Sequence, residues 1–401
     1  MASSSSASST VPLPDAVVRI SKLVLASYVL DWILIIGVAA IGFGFHEVQG
    51  SQRPFSLTDP NISYPHATEE TVSSAVLIIV GLVAPGVIVA AVTLLLVPTP
   101  TALRGAPFAL IWRRKIWEWN AAWMGLGVAL ASTFMATEGL KDLAGKPRPD
   151  LLDRCDPDLS KVSAYTVGGL GADVPGAARL VTAGICRNQA KELRLDGFVS
   201  FPSGHASFSF AGLMYLSLWL CSKFSISFPY LGPLPFGAAA PAVAAMDSSP
   251  DHRNGNHFEE AKSTAHSPGS LLSVPSTSLR AQGAAPPVYL QIIAFVPICV
   301  ATFIAISRYF DHRHDGFDIL FGAALGSLFA YIGFRLYHVP IRRSDGWSWA
   351  ARSRRHAFFR GIGYGDLVVT EGWARDSFTV PAERPRREDG NLEQATGQTA
   401  V

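Results

Sequence analysis

Three short clusters of charged and histidine residues carry the chemistry that this sequence offers. Along the chain they read Lys141-x6-Arg148-Pro149, then Pro202-Ser203-Gly204-His205, then Ser307-Arg308-x5-His314-x3-Asp318. Each cluster borders an apolar stretch long enough to cross a membrane, where charged side chains are expensive to desolvate. Clusters with defined spacing at such places are therefore candidates for a functional site.

The fixed cations predict a site for a phosphate group. Lys141, Arg148 and Arg308 could form a cage around a dianion, because each guanidinium offers a planar fork to phosphate oxygens and the ammonium adds a point charge. Ser203 and Gly204 stand where a helix should begin, and free backbone N–H groups at the positive end of a helix attract anions.

The histidines predict a nucleophile and a general acid. His314 and Asp318 are four residues apart, so on a helix the carboxylate can hold one ring nitrogen while the other faces the substrate. His312 is the alternative, but its i+3 neighbour Asp315 should point into a loop that precedes the helix. His205 lies beside the predicted anion site, where it could protonate a leaving alkoxide.

The composition indicates a membrane protein. Of 401 residues 49% are hydrophobic and 16% charged, and the mean hydropathy is +0.27, which is too apolar for an ordinary soluble enzyme. The net charge of +2 provides no basic surface for a nucleic acid. Four cysteines without a C-x-x-C pair exclude a disulfide-rich scaffold and suggest neither a zinc site nor a redox motif.

Six apolar stretches are predicted to position these clusters as membrane-spanning helices, since about 20 residues cross a bilayer core of about 30 Å. They cover roughly residues 23–45, 72–97, 120–140, 204–221, 288–306 and 317–336. The expected fold class is therefore all-α, a polytopic bundle of six transmembrane helices. Asp31 lies inside the first stretch, and we expect it to face other helices or to sit near one end.

The distribution of basic residues predicts the orientation. Arg113, Arg114 and Lys115 lie between the second and third stretches, which places that loop in the cytoplasm. Both termini are then cytoplasmic, and the three clusters share the luminal or extracellular face. The loop from Lys141 to Phe201 departs from the rule, because it places nine Lys and Arg residues outside.

The sequence also predicts how the chain is divided. A membrane domain covers residues 21–340, between a leader at 1–20 and a tail at 341–401. Both flanking segments, and an insert at about 237–287, are expected to be cytoplasmic and largely disordered, because their composition cannot bury enough apolar surface.

The three clusters together resemble the signature of the type 2 phosphatidic acid phosphatase superfamily. Segment 53–65, which starts at Arg53-Pro and ends at Tyr64-Pro65, and the sequence Asp196-Gly197-Phe198 are further similar to eukaryotic lipid phosphate phosphatases. Among these, the fungal diacylglycerol pyrophosphate phosphatase type is the most similar. The resemblance extends over about residues 20–340 without the insert.

The resemblance implies a helical bundle like that of acid phosphatases and vanadium haloperoxidases. It implies an enzyme that needs no Mg²⁺ or other cofactor and hydrolyses phosphatidate, lysophosphatidate or diacylglycerol pyrophosphate through a phosphohistidine. In that reaction His314 would attack phosphorus, Asp318 would orient it and His205 would protonate the departing oxygen. The phosphate oxygens would be held by Lys141, Arg148, Ser203, Gly204 and Arg308, without a metal ligand.

The sequence leaves alternative functions open. A phosphatase for sphingoid or polyprenyl phosphates, or a lipid headgroup transferase, could share the fold and the phosphohistidine. A catalytically silent lipid binder is disfavoured, because all the signature residues are present. The sequence leaves the membrane undecided among vacuole, Golgi, endoplasmic reticulum and plasma membrane.

Three secondary features lead to further expectations. Cys155 and Cys186 share the outer loop, where a disulfide between them is reasonable. Asn61 begins a glycosylation sequon, Asn61-Ile-Ser63, on the outer side. Gly322 and Gly326 permit close helix packing, within the bundle or at the face of a possible homodimer.

Overall fold

The structure is a computed structural model that describes residues 21–97, 108–167, 173–226, 286–341, 347–352 and 357–358. The predicted leader, nearly all of the insert at 237–287 and most of the tail lie outside these residues. Within them the chain is mostly helical.

Six long helices account for most of the described residues. They are α1 (Lys22–His46), α2 (Ser74–Leu96), α3 (Phe108–Ala144), α4 (Gly204–Lys223), α5 (Val288–Phe310) and α6 (Gly316–Tyr337). Each overlaps one predicted apolar stretch, although α3 begins well before its stretch. Helix α2 contains a π-helical turn at Ile79–Val83.

Four of these helices, α1, α2, α5 and α6, are long and apolar enough to cross a membrane. Helices α3 and α4 do not qualify, so the predicted number of six spans is not confirmed. Helix α3 carries charged side chains near both ends, such as Arg113 and Lys141. Helix α4 contains four serines, and all of them are buried. Charge and hydroxyl content therefore lower the hydropathy of these two helices.

The chain divides into two compact units. The first comprises Met1–Leu34, Ala91–Asn120 and Ala350–Val401. Within it, the carboxylate of Asp31 lies 2.7 Å from the guanidinium of Arg352, which also lies over the ring of Tyr28 at 5.0 Å. Asp31 is thus paired with a cation.

The second unit comprises Ile35–Ala90 and Ala121–Trp349, and α4 is its central helix. Gly322 and Gly326 of α6 lie against the backbone of α4, where a Cβ on either would overlap the carbonyl oxygen of Ser203 or Ser207. These two glycines thus serve helix packing within the bundle. Helix α3 is joined to α4 by a hydrogen bond of 2.9 Å between the hydroxyls of Thr137 and Ser207.

The connection between α1 and α2 and the connection between α3 and α4 fold together into a small substructure. Strands β1 (Phe55–Ser56) and β2 (Leu180–Val181) pair antiparallel, although no strand was expected from the sequence. The expected disulfide joins Cys155 to Cys186. Around it packs an apolar cluster made of Phe55, Ile62, Leu151, Val181, Ile185, Leu193 and Phe198. The cluster ends two residues before Ser200 and so supports the segment that leads into the second sequence cluster.

Asn61 lies in a short 3-10 helix, Pro60–Ile62, on the same substructure. The residue is exposed, and its side-chain amide donates to Asp59 at 3.0 Å. Its glycosylation stays a prediction.

Candidate active site

His314 lies between α5 and α6 and is 3% exposed. Its Nδ1 lies 2.6 Å from the carbonyl oxygen of Ser200, so Nδ1–H donates and Nε2 keeps its lone pair. Nε2 lies 3.4 Å from Nη1 of Arg148, on the side of the predicted phosphate site. The unprotonated ring nitrogen therefore faces a cation of the first sequence cluster.

The ring of His314 is oriented differently from the sequence prediction. Asp318 was expected to hold it directly, but the Ser200 carbonyl makes that contact. The Asp318 carboxylate binds the hydroxyl of Ser200 at 2.6 Å instead. Asp318 lies in the first turn of α6, where it forms a capping box with Asp315 and therefore faces the segment before α4. Its link to His314 runs through Ser200.

Lys146 is a part of this arrangement that the sequence analysis missed. Its ammonium lies 2.9 Å from Asp318 and 2.7 Å from Asp315, and its carbonyl accepts the Ser200 N–H at 3.0 Å. Burial lowers the pKa of Lys146, but the two carboxylates outweigh burial and raise it overall. The only indication of Lys146 in the sequence was its position, between Lys141 and Arg148 of the first cluster.

Arg148 is buried and held from three directions. Its Nε donates to the carbonyl of Asp196 at 2.7 Å and its Nη2 to the carboxylate of Asp196 at 2.5 Å. Its Nη1 donates to the carbonyl of Arg313 at 3.2 Å and also faces His314. Burial lowers the pKa of Arg148 to about 10, so the guanidinium stays charged at neutral pH.

Lys141 meets the start of α4 at Gly204. A Cβ on Gly204 would lie 3.0 Å from the Lys141 ammonium, so glycine permits this close approach. The ammonium also pairs with Glu138 at 2.6 Å, and the other oxygen of Glu138 lies 3.1 Å from Nδ1 of His46. Neither Glu138 nor His46 was predicted, although Glu138 lies one helical turn before Lys141.

The predicted contribution of Ser203 needs a correction. Its backbone N–H was expected to be free for an anion, but it donates to the carbonyl of Asp318 at 3.1 Å, which ties α4 to α6. The Ser203 hydroxyl caps α4 by accepting from the N–H of Ala206 at 3.4 Å and can still donate its own proton. Gly204 begins the helix, where backbone N–H groups have no acceptor within the helix.

Arg308 and His205 share one backbone acceptor. The carbonyl oxygen of Val72 lies 3.0 Å from Nε2 of His205 and 3.4 Å from Nη1 of Arg308. Arg308 is 2% exposed, and its Nη2 donates to Glu70 at 3.0 Å. Among the described residues its Nε has no hydrogen-bond partner, which leaves one buried donor for a ligand.

His312, the alternative nucleophile, faces a different group. It has a positive φ of 53°, and its ring stacks on Tyr64 with the centroids 4.8 Å apart. Of the two histidines that the sequence left open, His314 is the one that contacts Arg148.

Asp196 joins three arginines beside the cage. Its carboxylate lies within hydrogen-bonding distance of Arg148, Arg154 and Arg313. Burial raises the pKa of Asp196, but the guanidinium groups outweigh burial and hold it far below its usual value. Arg313 also pairs with Asp150 at 3.0 Å. The similarity noted at Asp196-Gly197-Phe198 pointed to this segment, but not to its arginine partners.

A cavity of about 690 Å³ lies beside these residues. Of the three predicted phosphate-binding cations only Lys141 lines it, together with Glu70, Glu138, Asp196 and Arg313. Burial, Arg148 and Arg308 lower the pKa of His314 well below its usual value, so the ring is neutral at physiological pH. A neutral imidazole beside fixed cations is an arrangement that can attack phosphorus and stabilise the charge of the phosphoryl group.

Within the described ranges, no group of three or more His, Cys, Asp and Glu side chains is arranged to hold a metal ion.

Comparisons with known proteins agree on one family. The model of the PAP2 superfamily matches residues 122–342. Diacylglycerol pyrophosphate phosphatase 1 of Saccharomyces cerevisiae is 28% identical over 311 residues, which are 78% of this chain and 80% of that protein. The probable diacylglycerol pyrophosphate phosphatase 1 of Schizosaccharomyces pombe is 26% identical over 72% of this chain and 73% of its own length. Lipid phosphate phosphatase 2 of Arabidopsis thaliana is 26% identical over 63% of each chain. No solved structure matches.

Proposed function

Because the chain belongs to the PAP2 superfamily and is a phosphatase, we propose that it hydrolyses lipid phosphates in the membrane through a phosphohistidine on His314. The observation that carries the proposal is the tautomer and orientation of the His314 ring. Nδ1–H is bound to the Ser200 carbonyl, Nε2 carries the lone pair, and Arg148 lies 3.4 Å from it. Such a nitrogen is ready to attack a phosphorus atom held by the neighbouring cations.

The first step transfers the phosphoryl group to the enzyme. Nε2 of His314 attacks phosphorus with its lone pair, and the bond from phosphorus to the lipid oxygen breaks. The bound phosphate dianion favours the protonated form of His205, which then gives its proton to that oxygen, and the dephosphorylated lipid leaves as an alcohol. Arg148, Arg308 and Lys141 stabilise the charge on the phosphoryl oxygens.

The second step restores the enzyme. A water molecule attacks the phosphohistidine while His205, now neutral, takes one proton from it. The N–P bond breaks, inorganic phosphate leaves, and the lone pair returns to Nε2. The carbonyl of Ser200 accepts the Nδ1–H of His314 throughout both steps, so the histidine keeps the same tautomer.

We infer that the reaction needs no Mg²⁺. The charge stabilisation that Mg²⁺ gives in other phosphoryl transfers would come from three fixed cations and the start of α4. The unpartnered Nε of buried Arg308 supports this, because it offers a donor that a phosphoryl oxygen would satisfy.

Substrate and location belong to the same proposal. The relative from Saccharomyces is named for diacylglycerol pyrophosphate and the relative from Arabidopsis for lipid phosphate. We propose diacylglycerol pyrophosphate, phosphatidate and lysophosphatidate as substrates. We propose six membrane spans and a site on the luminal or extracellular face, since Arg113, Arg114 and Lys115 favour a cytoplasmic position for the first turns of α3.

The test is phosphate release from detergent-dispersed phosphatidate and diacylglycerol pyrophosphate in excess EDTA. The wild type is compared with His314→Ala and with the matched control His312→Ala. We expect activity that survives EDTA and the control but is lost in His314→Ala. An acid-labile phosphoryl label should form on the wild type and not on His314→Ala. A strict need for metal, or a label in His314→Ala, would refute the mechanism, while release from sphingoid phosphates alone would refute the substrate class.

A further inference from the structure

The carboxylate of Glu70, which lies outside the three sequence clusters, binds one nitrogen of the Arg308 guanidinium. The Nε and Nη2 hydrogens of a guanidinium point the same way and form the fork that binds two oxygens of a phosphate. On Arg308, Nη2 donates to Oε1 of Glu70 at 3.0 Å, while Nε has no hydrogen-bond partner among the described residues. Nη1 is occupied by Asp311 at 3.3 Å and Val72 at 3.4 Å. Of the two nitrogens that could bind a phosphate, Nη2 is therefore bound to Glu70 and only Nε is available.

The same oxygen of Glu70 reaches a second arginine. Oε1 lies 3.4 Å from Nε of Arg313, whose other nitrogens pair with Asp150 and Asp196. Burial raises the pKa of Glu70, but the hydrogen bond and charge of Arg308 and the charge of Arg313 outweigh burial and lower it. An ionised oxygen between two guanidinium groups thus lies where a phosphate oxygen could bind.

The segment that carries Glu70 is held in place without its side chain. The Tyr64 N–H donates to the carbonyl of Pro149 at 3.0 Å, and the Thr71 hydroxyl donates to Asp311 at 2.6 Å. The Glu70 side chain is 28% exposed and lines the cavity. The carboxylate could therefore turn into the cavity without unfolding the segment.

We propose that Glu70 is an internal counter-ion that competes with phosphate for Arg308 and Arg313 and thereby determines the specificity of the site. The inference rests on the proposed function, since it assumes that the cage binds a lipid phosphate. A lipid substrate brings additional binding free energy from its apolar part, which helps it to displace the carboxylate. Free inorganic phosphate lacks this contribution, so Glu70 selects against it and limits inhibition by the product.

The test replaces Glu70→Gln, which removes the charge and keeps the shape. Glu69→Gln is the matched control, because the neighbouring Glu69 is exposed. Inorganic phosphate is titrated into each full-length protein in detergent micelles by calorimetry, and its inhibition of phosphatidate hydrolysis is measured. We expect Glu70→Gln to bind phosphate about tenfold more tightly, the ratio that corresponds to about 1.4 kcal/mol, and Glu69→Gln to match the wild type.

Two results would overturn the inference. One is an affinity of Glu70→Gln for phosphate that equals or falls below that of the wild type. The other is an equal gain in Glu69→Gln, which would show a general effect of net charge. If Glu70→Gln does not elute as a folded protein, Glu70→Ala replaces it with the same expectation. A folded wild type that neither binds phosphate nor releases it from lipid would overturn the proposed function itself, which separates the two failures.

Discussion

The imidazole of His314 is oriented by the backbone of Ser200, whose carbonyl oxygen lies 2.6 Å from Nδ1. A backbone acceptor cannot take the proton, so it fixes the tautomer without competing for it. The side chain of Ser200 is in turn bound to Asp318 at 2.6 Å. The acidic residue of the third cluster therefore positions the histidine through the serine.

Removing the Ser200 hydroxyl should slow the reaction without weakening substrate binding. In Ser200→Ala the carbonyl loses its anchor to Asp318, and the ring of His314 loses its fixed direction. We expect kcat to fall about tenfold, as for a misplaced catalytic group, with KM nearly unchanged. Steady-state kinetics with phosphatidate in mixed micelles measure both constants.

Ser200→Thr is the conservative comparison, because threonine keeps the hydroxyl. It should retain most of the activity that Ser200→Ala loses. A kcat of Ser200→Ala equal to the wild type would show that Asp318 does not act through this serine.

Lys146 should matter as much as Ser200, although it contacts neither His314 nor the predicted phosphate position. Its ammonium neutralises Asp318, whose side chain is fully buried, and Asp315. Lys146→Met would leave the buried carboxylate without its cation, which is strongly unfavourable. We expect kcat to fall roughly tenfold or more, with partial recovery in Lys146→Arg.

Lys161→Met provides the matched control for Lys146→Met. The Lys161 side chain is 61% exposed and pairs with Asp158 at 3.1 Å, in the substructure between α3 and α4. Surface pairs of this kind contribute little, so its kinetics should equal those of the wild type. Equal losses in both lysine variants would assign the effect to net charge.

The pH dependence of kcat should show that His314 attacks as the neutral base. Burial, Arg148 and Arg308 lower its pKa well below the usual value of 6.5. A lowered pKa means that the ring becomes protonated, and inactive as a nucleophile, only when the pH falls well below 6.5. We therefore expect the acid limb of kcat, measured at saturating substrate, to lie well below that pH. An acid limb at or above 6.5 would contradict a buried neutral nucleophile.

The structure brings residues of the three clusters together, but several of their contacts differ from the sequence prediction. The helix-end positions of Lys141, His205 and Arg308 follow from hydropathy, because charged residues border apolar stretches. The prediction of a direct contact between Asp318 and His314 was wrong, because an i, i+4 spacing implies a contact only when both residues lie on one helix. His314 precedes α6, and Asp318 caps that helix.

Other partners could not have been found from spacing. Glu70 and Arg308 are separated by 238 residues, and only packing brings their side chains together. Helix α4 shows why the predicted six spans are not confirmed by length and composition alone. Its hydroxyl groups lower its hydropathy, and most of its residues are buried inside the protein.

Asp196 should stabilise the fold in a way that depends on pH. The arginines around it hold its pKa far below the usual value, so the folded state favours the ionised carboxylate. For a carboxyl group with a lowered pKa, the stabilisation is complete above the pKa of the unfolded chain, about 3.9, and decreases as the pH falls below it. Asp196→Asn should therefore lower the unfolding temperature at neutral pH, and the difference from the wild type should shrink below about pH 4.

Asp158→Asn separates this effect from the loss of any carboxylate. Asp158 is also paired, with Lys161 and Arg187, but it lies away from Arg148. We expect Asp196→Asn alone to reduce phosphate release, because it frees Nη2 of Arg148 from its anchor. Thermal unfolding between pH 3.5 and pH 8, with kinetics at pH 7, gives both readouts. A difference in unfolding temperature that stays constant at low pH would show that Asp196 acts by shape and not by charge.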